Sequence, residues 1–499
     1  MPLTRSLTDQ LASSERDFTL TYDDSYWARQ AKRLDVSDDV RHTDFARFVH
    51  DHCGNTLVYA ENIGWYRWNG RVWEATSDDA AAMQAVTDAS EVLIHRMRAA
   101  EGDRRWAGSA ISKMLVNFHR TGIVREMRSL REFRVPIDAM DERRYLLTFR
   151  NGTVDLRTGE LRPHDPADML TQCAQVDYNP DAVAPRWLRF VEEVFPGDAD
   201  LQRYYQTWLG LCVTGEARDH VLGVWYGEKG RNGKGTTIRT MQSVFGHELV
   251  LDVPFSLFEK TRNEPHTELI ASLRTARMVV AQEGNAGVPM DTARLKNYTG
   301  GDRINARHLR GKTFTFAPKF TLVLATNELP EFASGGAALW ARTKAILFGQ
   351  SFAGRVDREL EPTIQGPERE GVAAWIVEGA KRYYAEGLVD PVSVELATEH
   401  HKDEVDPLKP LIDELFTFDD SAEPVKRSLF NEELKKWRDV NGDTSAKFKP
   451  QSVSRELERN GVKAVKRGGT FVYAGIRLMP EFGGPVQYDD SNSPELFQR

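Results

Sequence analysis

The period of apolar positions changes several times along the chain, and each change marks an element. From Trp65 to Trp73 aromatic and polar residues interleave, in Trp65-Tyr66-Arg67-Trp68-Asn69-Gly70-Arg71-Val72-Trp73. This predicts a β-hairpin, with Asn69-Gly70, both able to take φ > 0, as a two-residue turn. A second hairpin is predicted over Leu147–Leu161, turned at Asn151-Gly152 or Thr158-Gly159. Between them, Ala80–Met97 and Ala107–Met127 have helical spacing. From Pro185 to Ala353 short apolar runs alternate with helical stretches, the pattern of an α/β layer fold. Three runs read as buried strands: Val221–Tyr226, Arg277–Glu283 and Phe320–Asn327. Pro407-Leu408-Lys409-Pro410 then interrupts the chain. Helical patterns follow at Leu411–Phe416, Lys426–Asn441 and Gln451–Asn460. Val462–Val465 and Phe471–Leu478, around Arg467-Gly468-Gly469, predict two strands and a turn. Helix, helix, helix, β-ribbon is a winged-helix order.

These breaks give a polar tail (1–40), an N-terminal α+β domain of helices and hairpins (41–215), an α/β core (216–355), a helical connector (356–405), a winged-helix domain (406–480) and a disordered tail (481–499). The aromatic ladder of the first hairpin either packs its own small sheet or offers rings for base stacking.

Composition narrows the class. A chain of 499 residues exceeds one core. No run approaches the ~20 apolar residues of a membrane span, and Met1–Leu20 lacks the apolar segment of a secretion signal. Cys53, Cys173 and Cys212 fit neither a metal spacing nor a disulfide framework, so a cytoplasmic location is expected. The formal net charge of −8 argues against a surface coated in nucleic acid, yet Val425–Arg477 holds 13 Lys and Arg against 6 Asp and Glu. A basic segment in an acidic chain is an electrostatic footprint for DNA. Ser452, Ser454, Arg455 and Arg459 are expected to face a groove, with Lys466 and Arg467 on the wing; a protein-docking role for the same domain stays open.

The strand at Val221–Tyr226 runs into Gly227-Glu228-Lys229-Gly230-Arg231-Asn232-Gly233-Lys234-Gly235-Thr236-Thr237, and helix-forming residues Ile238–Phe245 follow. Glycines let backbone N–H groups converge on phosphate oxygens, a helix N-terminus adds partial positive charge, and Lys234 reaches the β and γ phosphates. The loop departs from the strict motif. Glu228 stands where the first glycine is expected, with Gly227 one position early. Gly235 stands where Ser or Thr would follow the lysine, so the Mg²⁺ ligand moves to Thr236, or else Thr237. The nucleotide site is therefore read as Gly227, Gly230, Asn232, Gly233, Lys234, Gly235, Thr236 and Thr237. Two strand ends join it. Glu283 is placed to polarise the attacking water or help hold Mg²⁺, and Asn327 to orient water or contact the γ-phosphate. Arg303, Arg307, His308, Arg310 and Lys312 surround Gly311, which suits a hairpin offering cations to DNA phosphates.

Together these strings resemble superfamily 3 helicases of the phage and plasmid primase–helicase kind, related to poxvirus primase–helicase and satellite-phage replication proteins. The carrying residues are Asn232-Gly233-Lys234, Glu283, the string Leu295–Arg307 containing Thr299-Gly300-Gly301-Asp302, Phe316-Ala317-Pro318-Lys319-Phe320, and Ala325-Thr326-Asn327-Glu328-Leu329-Pro330. A weaker likeness extends back through Phe149-Arg150-Asn151-Gly152 and Pro163-His164. The resemblance implies a P-loop, AAA+-like core. It implies phosphate binding by Lys234, Mg²⁺ at Thr236, water activation by Glu283 and γ-phosphate sensing by Asn327. It also implies an arginine finger at Arg342 that reaches a neighbouring subunit, with Lys344 competing for that role. Family members often carry two acids where Gln282-Glu283 stands; here the first is an amide, so the strand offers one carboxylate rather than two.

The leading expectation is an ATP- and Mg²⁺-dependent helicase of phage or mobile-element DNA replication. It would act on single-stranded and fork DNA as a homo-hexameric ring, beside a separate primase or polymerase. Relatives that prime carry an additional domain in front, so priming by this chain is not expected. Two other readings stay open: an ATP-switched replication initiator that does not unwind, and a P-loop small-molecule kinase. A kinase would need neither the Arg303–Lys312 cations nor the basic C-terminal segment.

Overall fold

A computed structural model describes residues 42–76, 78–99, 116–217, 219–260, 267–282, 289–308, 312–332, 336–405, 408–443 and 448–479. Both expected tails lie outside these residues. So do residues 107–115 of the second expected helix, Glu283, Arg310-Gly311 and Gly335.

The N-terminal unit comprises α1 (His42–Cys53), β1 (Leu57–Ala60), β2 (Gly64–Trp68), β3 (Trp73–Ala75), α2 (Ala80–Ala99), α3 (Asn117–Met127) and β4 (Arg134–Val135). Its strands lie in the order β3-β2-β1-β4. The expected two-residue turn is not formed. Trp68 pairs with Trp73, which leaves a loop over Asn69–Val72. The Asn69 side chain accepts from the backbone N–H of Arg71 and Val72, closing the loop locally, and Gly70 takes φ +95°. The aromatic ladder is core rather than a stacking surface. Trp65 turns to the helices while Tyr66 and Trp73 turn to the opposite face with Met140, as a period of two requires.

A three-stranded antiparallel meander follows, of β5 (Leu146–Phe149), β6 (Gly152–Asp155) and β7 (Glu160–Arg162), using both expected turn sites. Then come α4 (Pro185–Val194) and α5 (Ala199–Thr214). α4 buries Trp187, Phe190, Val191 and Val194 on one face.

The central layer runs β8 (Leu222–Tyr226), α6 (Lys234–Phe245), β9 (Val250–Pro254), α7 (Thr267–Ser272), β10 (Met278–Gln282) and α8 (Thr292–Thr299). It continues through β11 (Ile304–Arg307), β12 (Thr313–Phe316), β13 (Thr321–Ala325), α9 (Gly336–Trp340) and β14 (Thr343–Leu347). β8, β9, β10, β13 and β14 form an all-parallel sheet in the order β14-β8-β13-β10-β9. Its strands feed two cores alternately. Trp225, Val280 and Val323 face one, and Val224, Val279 and Leu322 the other. Near-continuous apolar runs are what a sheet covered on both sides demands.

Next are α10 (Leu360–Ile364), α11 (Arg369–Glu386) and α12 (Val392–Val405). α11 crosses α5 backbone to backbone. A Cβ on Gly210 would lie 2.1 Å from the Ala380 nitrogen, and one on Gly379 would lie 2.1 Å from the Gln206 carbonyl oxygen. One apolar cluster thus runs from Leu147 through Trp208 and Trp225 to Val394. It crosses the boundary expected between residues 215 and 216, because the apolar faces of α4 and α5 are buried on the sheet itself.

The C-terminal unit has α13 (Lys409–Glu414), β15 (Phe416–Phe418), β16 (Val425–Lys426), α14 (Arg427–Val440), α15 (Pro450–Arg459), β17 (Ala464–Arg467), β18 (Thr470–Tyr473) and β19 (Ile476–Leu478). It has its own core, built on Phe416, Leu434, Trp437, Leu457 and Tyr473. Phe416, expected at a helix end, pairs instead with Leu478. The last expected strand is split at Gly475, which takes φ +90°. Gly468 and Gly469, both at positive φ, turn β17 into β18 with Arg467 opposite Thr470.

Candidate functional site

All five parallel strands point their C-terminal ends the same way, and a cavity of about 1200 Å³ opens there. Its walls are α4, the loop after β8, the ends of β10 and β13, and the segment from Gln350 to Pro362. The crevice outside the carboxyl ends of the strands is where open α/β sheets take ligands.

The loop between β8 and α6 is built by side-chain bonds as much as by glycines. Asn232, almost fully buried, donates from Nδ2 to the carbonyl oxygens of Gly227 (3.2 Å) and Lys229 (2.9 Å). At Gly227 a Cβ would lie 2.4 Å from the Phe348 carbonyl oxygen. Gly233 caps α6 at φ +98°, with Val194 only 2.8 Å from where a Cβ would sit. Gly230 and Gly235 differ: nothing stands within 4 Å of a Cβ on Gly230, and the atoms nearest a Cβ on Gly235 belong to the flexible Arg239 side chain.

Lys234 opens α6 and is 7% exposed. Its Nζ reaches only neutral oxygens, the Gly227 carbonyl (3.4 Å) and Asn327 Oδ1 (3.3 Å). Burial pushes its pKa down to about 8. Among the described residues it has no carboxylate partner. The wall's acids, Glu193, Asp357 and Glu361, are already paired with Arg186, Arg189 and Arg239. Arg231, Arg355 and Arg358 line the same cavity without such a partner among the described residues, so its charge is positive.

The two threonines are not equivalent. Thr237 is fully buried; its Oγ1 accepts from the Tyr205 hydroxyl (2.8 Å) and donates to the Gly233 carbonyl (3.2 Å). Thr236 lines the cavity and donates to Glu361 Oε1 at 3.0 Å. Arg239 also grips Glu361, from Nε at 3.1 Å and from Nη2, and holds that carboxyl below its usual range. Two oxygens about 3 Å apart are spaced as neighbouring ligands of an octahedral cation with metal–oxygen bonds near 2.1 Å. Thr236 and Glu361 thus offer a hydroxyl and a carboxylate oxygen, the donor types a hard divalent ion takes. Among the described residues no group of three or more His, Cys, Asp and Glu forms a metal site by itself.

β13 lies between β8 and β10, so Asn327, at its end, is brought to Lys234. Gln282 lines the cavity and donates to Asp252 at 2.9 Å. Arg342 is not at this end. It precedes Thr343, the residue paired with Leu222 where β8 begins, roughly five strand residues or ~17 Å from the loop. There its Nη1 donates to the Lys296 carbonyl (2.9 Å) and Thr299 Oγ1 (3.3 Å) at the end of α8. Lys344 pairs with Asp390.

Sequence reasoning missed Glu361, Arg186 and Asp357. The acids lie more than 100 residues from the loop, and only the folding back of α10 on α6 brings Glu361 to Thr236.

The expected cationic hairpin is β11–β12, with its tip outside the described residues. Ile304, Ala306, Phe314 and Phe316 bury one face, leaving Arg303 and Arg307 exposed on the other, with Lys312 exposed near the tip. Arg303 pairs with Asp138 (3.1 Å), and His308 stacks on Phe314 beside Glu268. In the C-terminal unit Arg455, Lys466 and Arg467 are exposed. Ser454 was expected on the outer face but is 8% exposed, because it follows Val453 onto the buried side of α15. The Arg459 side chain lies outside the described residues. No described helix is long and apolar enough to cross a membrane.

A family model described as D5 N terminal like matches residues 46–196. A "Putative helicase" of Acanthamoeba polyphaga mimivirus is 23% identical over 66% of this chain, and one of Invertebrate iridescent virus 6 is 29% identical over 44%. A "Putative primase" of African swine fever virus is 24% identical over 43%. The matches span 37%, 24% and 23% of those relatives' own lengths. The chain is thus similar, over these spans, to proteins named "Putative helicase" and "Putative primase" of large DNA viruses, and its residues 46–196 resemble a D5 N terminal like segment.

Proposed function

We propose that the cavity binds ATP with Mg²⁺ and that the chain is an ATP-driven DNA helicase of phage or mobile-element replication. The observation that carries this reading is Lys234: a buried cation whose partners among the described residues are neutral, at a helix N-terminus, in a cavity of surplus positive charge. Burying an uncompensated ammonium is costly unless an anion arrives. A triphosphate supplies that anion, and Asn327, already on Lys234, lies where the terminal phosphate would reach.

In this reading Gly227–Gly233 and the N-terminus of α6 cradle the phosphates. Lys234 neutralises the β and γ phosphates and Asn327 reads the γ-phosphate. Mg²⁺, held by Thr236 with Glu361 alongside, supplies electrostatic stabilisation of the charge that develops on the phosphates. Glu283, which follows Gln282 in the sequence and lies outside the described residues, is read as orienting and deprotonating the attacking water. Arg342 lies too far from its own chain's cavity to act there, so a finger role would require a neighbouring subunit in a ring. DNA would meet the outer face of the β11–β12 hairpin, and the basic C-terminal unit, read as a winged helix, would meet duplex. The names of the relatives and the D5 N terminal like match support a replication helicase over a small-molecule kinase. The deciding experiment is ATP hydrolysis with and without single-stranded DNA, followed by strand displacement on a fork. Hydrolysis that DNA stimulates, with displacement, is expected; hydrolysis without displacement would leave an ATP-switched initiator.

A further inference from the structure

The loop that carries Asn327 is pinned at several points, and one pin is a buried histidine. Thr326 leaves β13 with its N–H donated to the Trp225 carbonyl (2.9 Å) and its hydroxyl to the Glu328 carbonyl (2.7 Å). The Glu331 carbonyl accepts from the Met290 N–H at 2.8 Å, where the chain returns after Glu283. Between these, the Pro330 carbonyl accepts from Nε2 of His401 at 3.0 Å. His401 is fully buried on α12, its ring 5.1 Å from Phe332 and 5.0 Å edge-on to Trp340. Nδ1 has no partner among the described residues.

This placement is unusual for a histidine that merely fills space. A leucine or phenylalanine would fill an aromatic cage without stranding a ring nitrogen, so what the imidazole adds is the one N–H it aims at Pro330. Its neighbours are also distributed. Pro330 and Phe332 belong to the loop of Asn327, and Trp340 lies two residues before Arg342. α12 also accepts the Ala345 N–H of β14 through Thr398 (3.0 Å), and it ends at Val405, just before the C-terminal unit begins at Leu408.

We propose that His401 is a positioning residue for γ-phosphate sensing: through Pro330 it holds Asn327 against Lys234 and ties that loop to Trp340, to Arg342 and to the helix that leads into the C-terminal unit. The inference rests on the reading of the cavity as an ATP site. The ring stays neutral because burial lowers its pKa to about 4, so Nε2 donates as a fixed N–H throughout the ordinary working range.

The test uses the full chain and fluorescent ATP and ADP analogues, without turnover. The readout is the ratio of the two affinities, with melting temperature measured in parallel. His401→Leu keeps the cage apolar and loses the donor. His401→Asn keeps an amide too short to reach Pro330. His401→Gln keeps an N–H at about the reach of Nε2. The Leu and Asn variants are expected to lose roughly fivefold of the preference for ATP over ADP, the worth of one neutral hydrogen bond, and the Gln variant to retain it. Should the Leu variant fail to fold, the Asn and Gln pair decides. A preference unchanged in the Leu and Asn variants, whatever their melting temperatures, would make His401 a packing residue and overturn the proposal. Wild-type chain that binds neither nucleotide would overturn the ATP reading and this proposal with it. Wild-type binding with insensitive variants overturns the positioning role alone.

Discussion

Thr236 donates its hydroxyl to Glu361, 125 positions further along the chain, and so joins the helix after the glycine-rich loop to the helix after the last strand of the sheet. In the proposed ATP site this pairing would supply the carboxylate that the amide Gln282 does not. If the pair holds Mg²⁺ on the nucleotide, Thr236→Val and Glu361→Gln should each abolish the gain in nucleotide affinity on adding Mg²⁺ while sparing metal-free binding. Mn²⁺ titration by electron paramagnetic resonance checks this without hydrolysis. Full metal-dependent affinity in Glu361→Gln would reduce Glu361 to an anchor for Arg239.

Lys234 gives the site a pH dependence with a definite sign. Burial lowers its pKa to about 8, and a bound triphosphate would raise it again. Protonated lysine is the binding form. Affinity for ATP should therefore be steady below about pH 7.5 and fall about tenfold by about pH 9, with proton uptake on binding near pH 8. The same depressed pKa makes the free fold more stable as pH rises from about 8 to about 10.5, where the unfolded chain still holds the proton. Binding and stability should thus move in opposite directions. An affinity flat across this range would remove Lys234 from the phosphates.

The glycines of the loop should separate cleanly. Gly233→Ala must hold an L residue at φ +98° with Val194 2.8 Å from the new methyl, and should cost about 1–3 kcal/mol together with nucleotide binding. Gly230→Ala meets open space at ordinary φ and should be near neutral in both. Thermal melts with and without nucleotide measure the difference.

Arg342 stands at the opposite end of the sheet from its own cavity. Arg342→Ala should leave nucleotide affinity intact, lower stability modestly through loss of its bonds to the end of α8, and stop hydrolysis if it serves a neighbour. Mixing it with Lys234→Ala should then restore part of the ATPase, since some interfaces pair a good loop with a good finger. No recovery in mixtures whose subunits demonstrably exchange would count against action across an interface.

Charge removal at Arg455, Lys466 and Arg467 should weaken duplex binding and reduce its salt slope by about 0.9 for each phosphate that is no longer neutralised. Basal hydrolysis should not change. Equal slopes before and after would mean the C-terminal unit reads protein rather than DNA.

Much of the fold was legible because local chemistry decided it. The β8–loop–α6 unit, β10 and β13 are continuous apolar runs with sharp polar ends, and Gly468-Gly469 turns the last hairpin as two adjacent positive-φ residues must. Elements failed where a side chain or a distant partner decided. Asn69 bonds two backbone N–H groups with its own oxygen, so Asn69-Gly70 does not make the short turn its composition suggests. Phe416 becomes a strand because Leu478, far along the chain, offers an edge. Within the site, Lys234 was readable at a helix start after a glycine-rich loop and Asn327 just past a strand end. The insertion of β13 between β8 and β10, which makes them neighbours, was not, because strand order is a property of the assembled sheet. Glu361 carried no local signal at all.

The apolar cluster that runs from Leu147 to Val394 also dictates a timetable. A chain emerging from the ribosome displays the meander, α4 and α5 long before the strands that cover them, and α11, whose backbone closes on Gly210, and Val394 of α12 come last. The N-terminal unit and its separate core can settle early. The cavity is completed only once residues beyond 360 are free of the exit tunnel, so while residues 215–360 are being made the apolar faces of α4 and α5 are not yet fully covered. During that interval a chaperone or a fast elongation rate would matter more to its yield than the stability of the finished molecule.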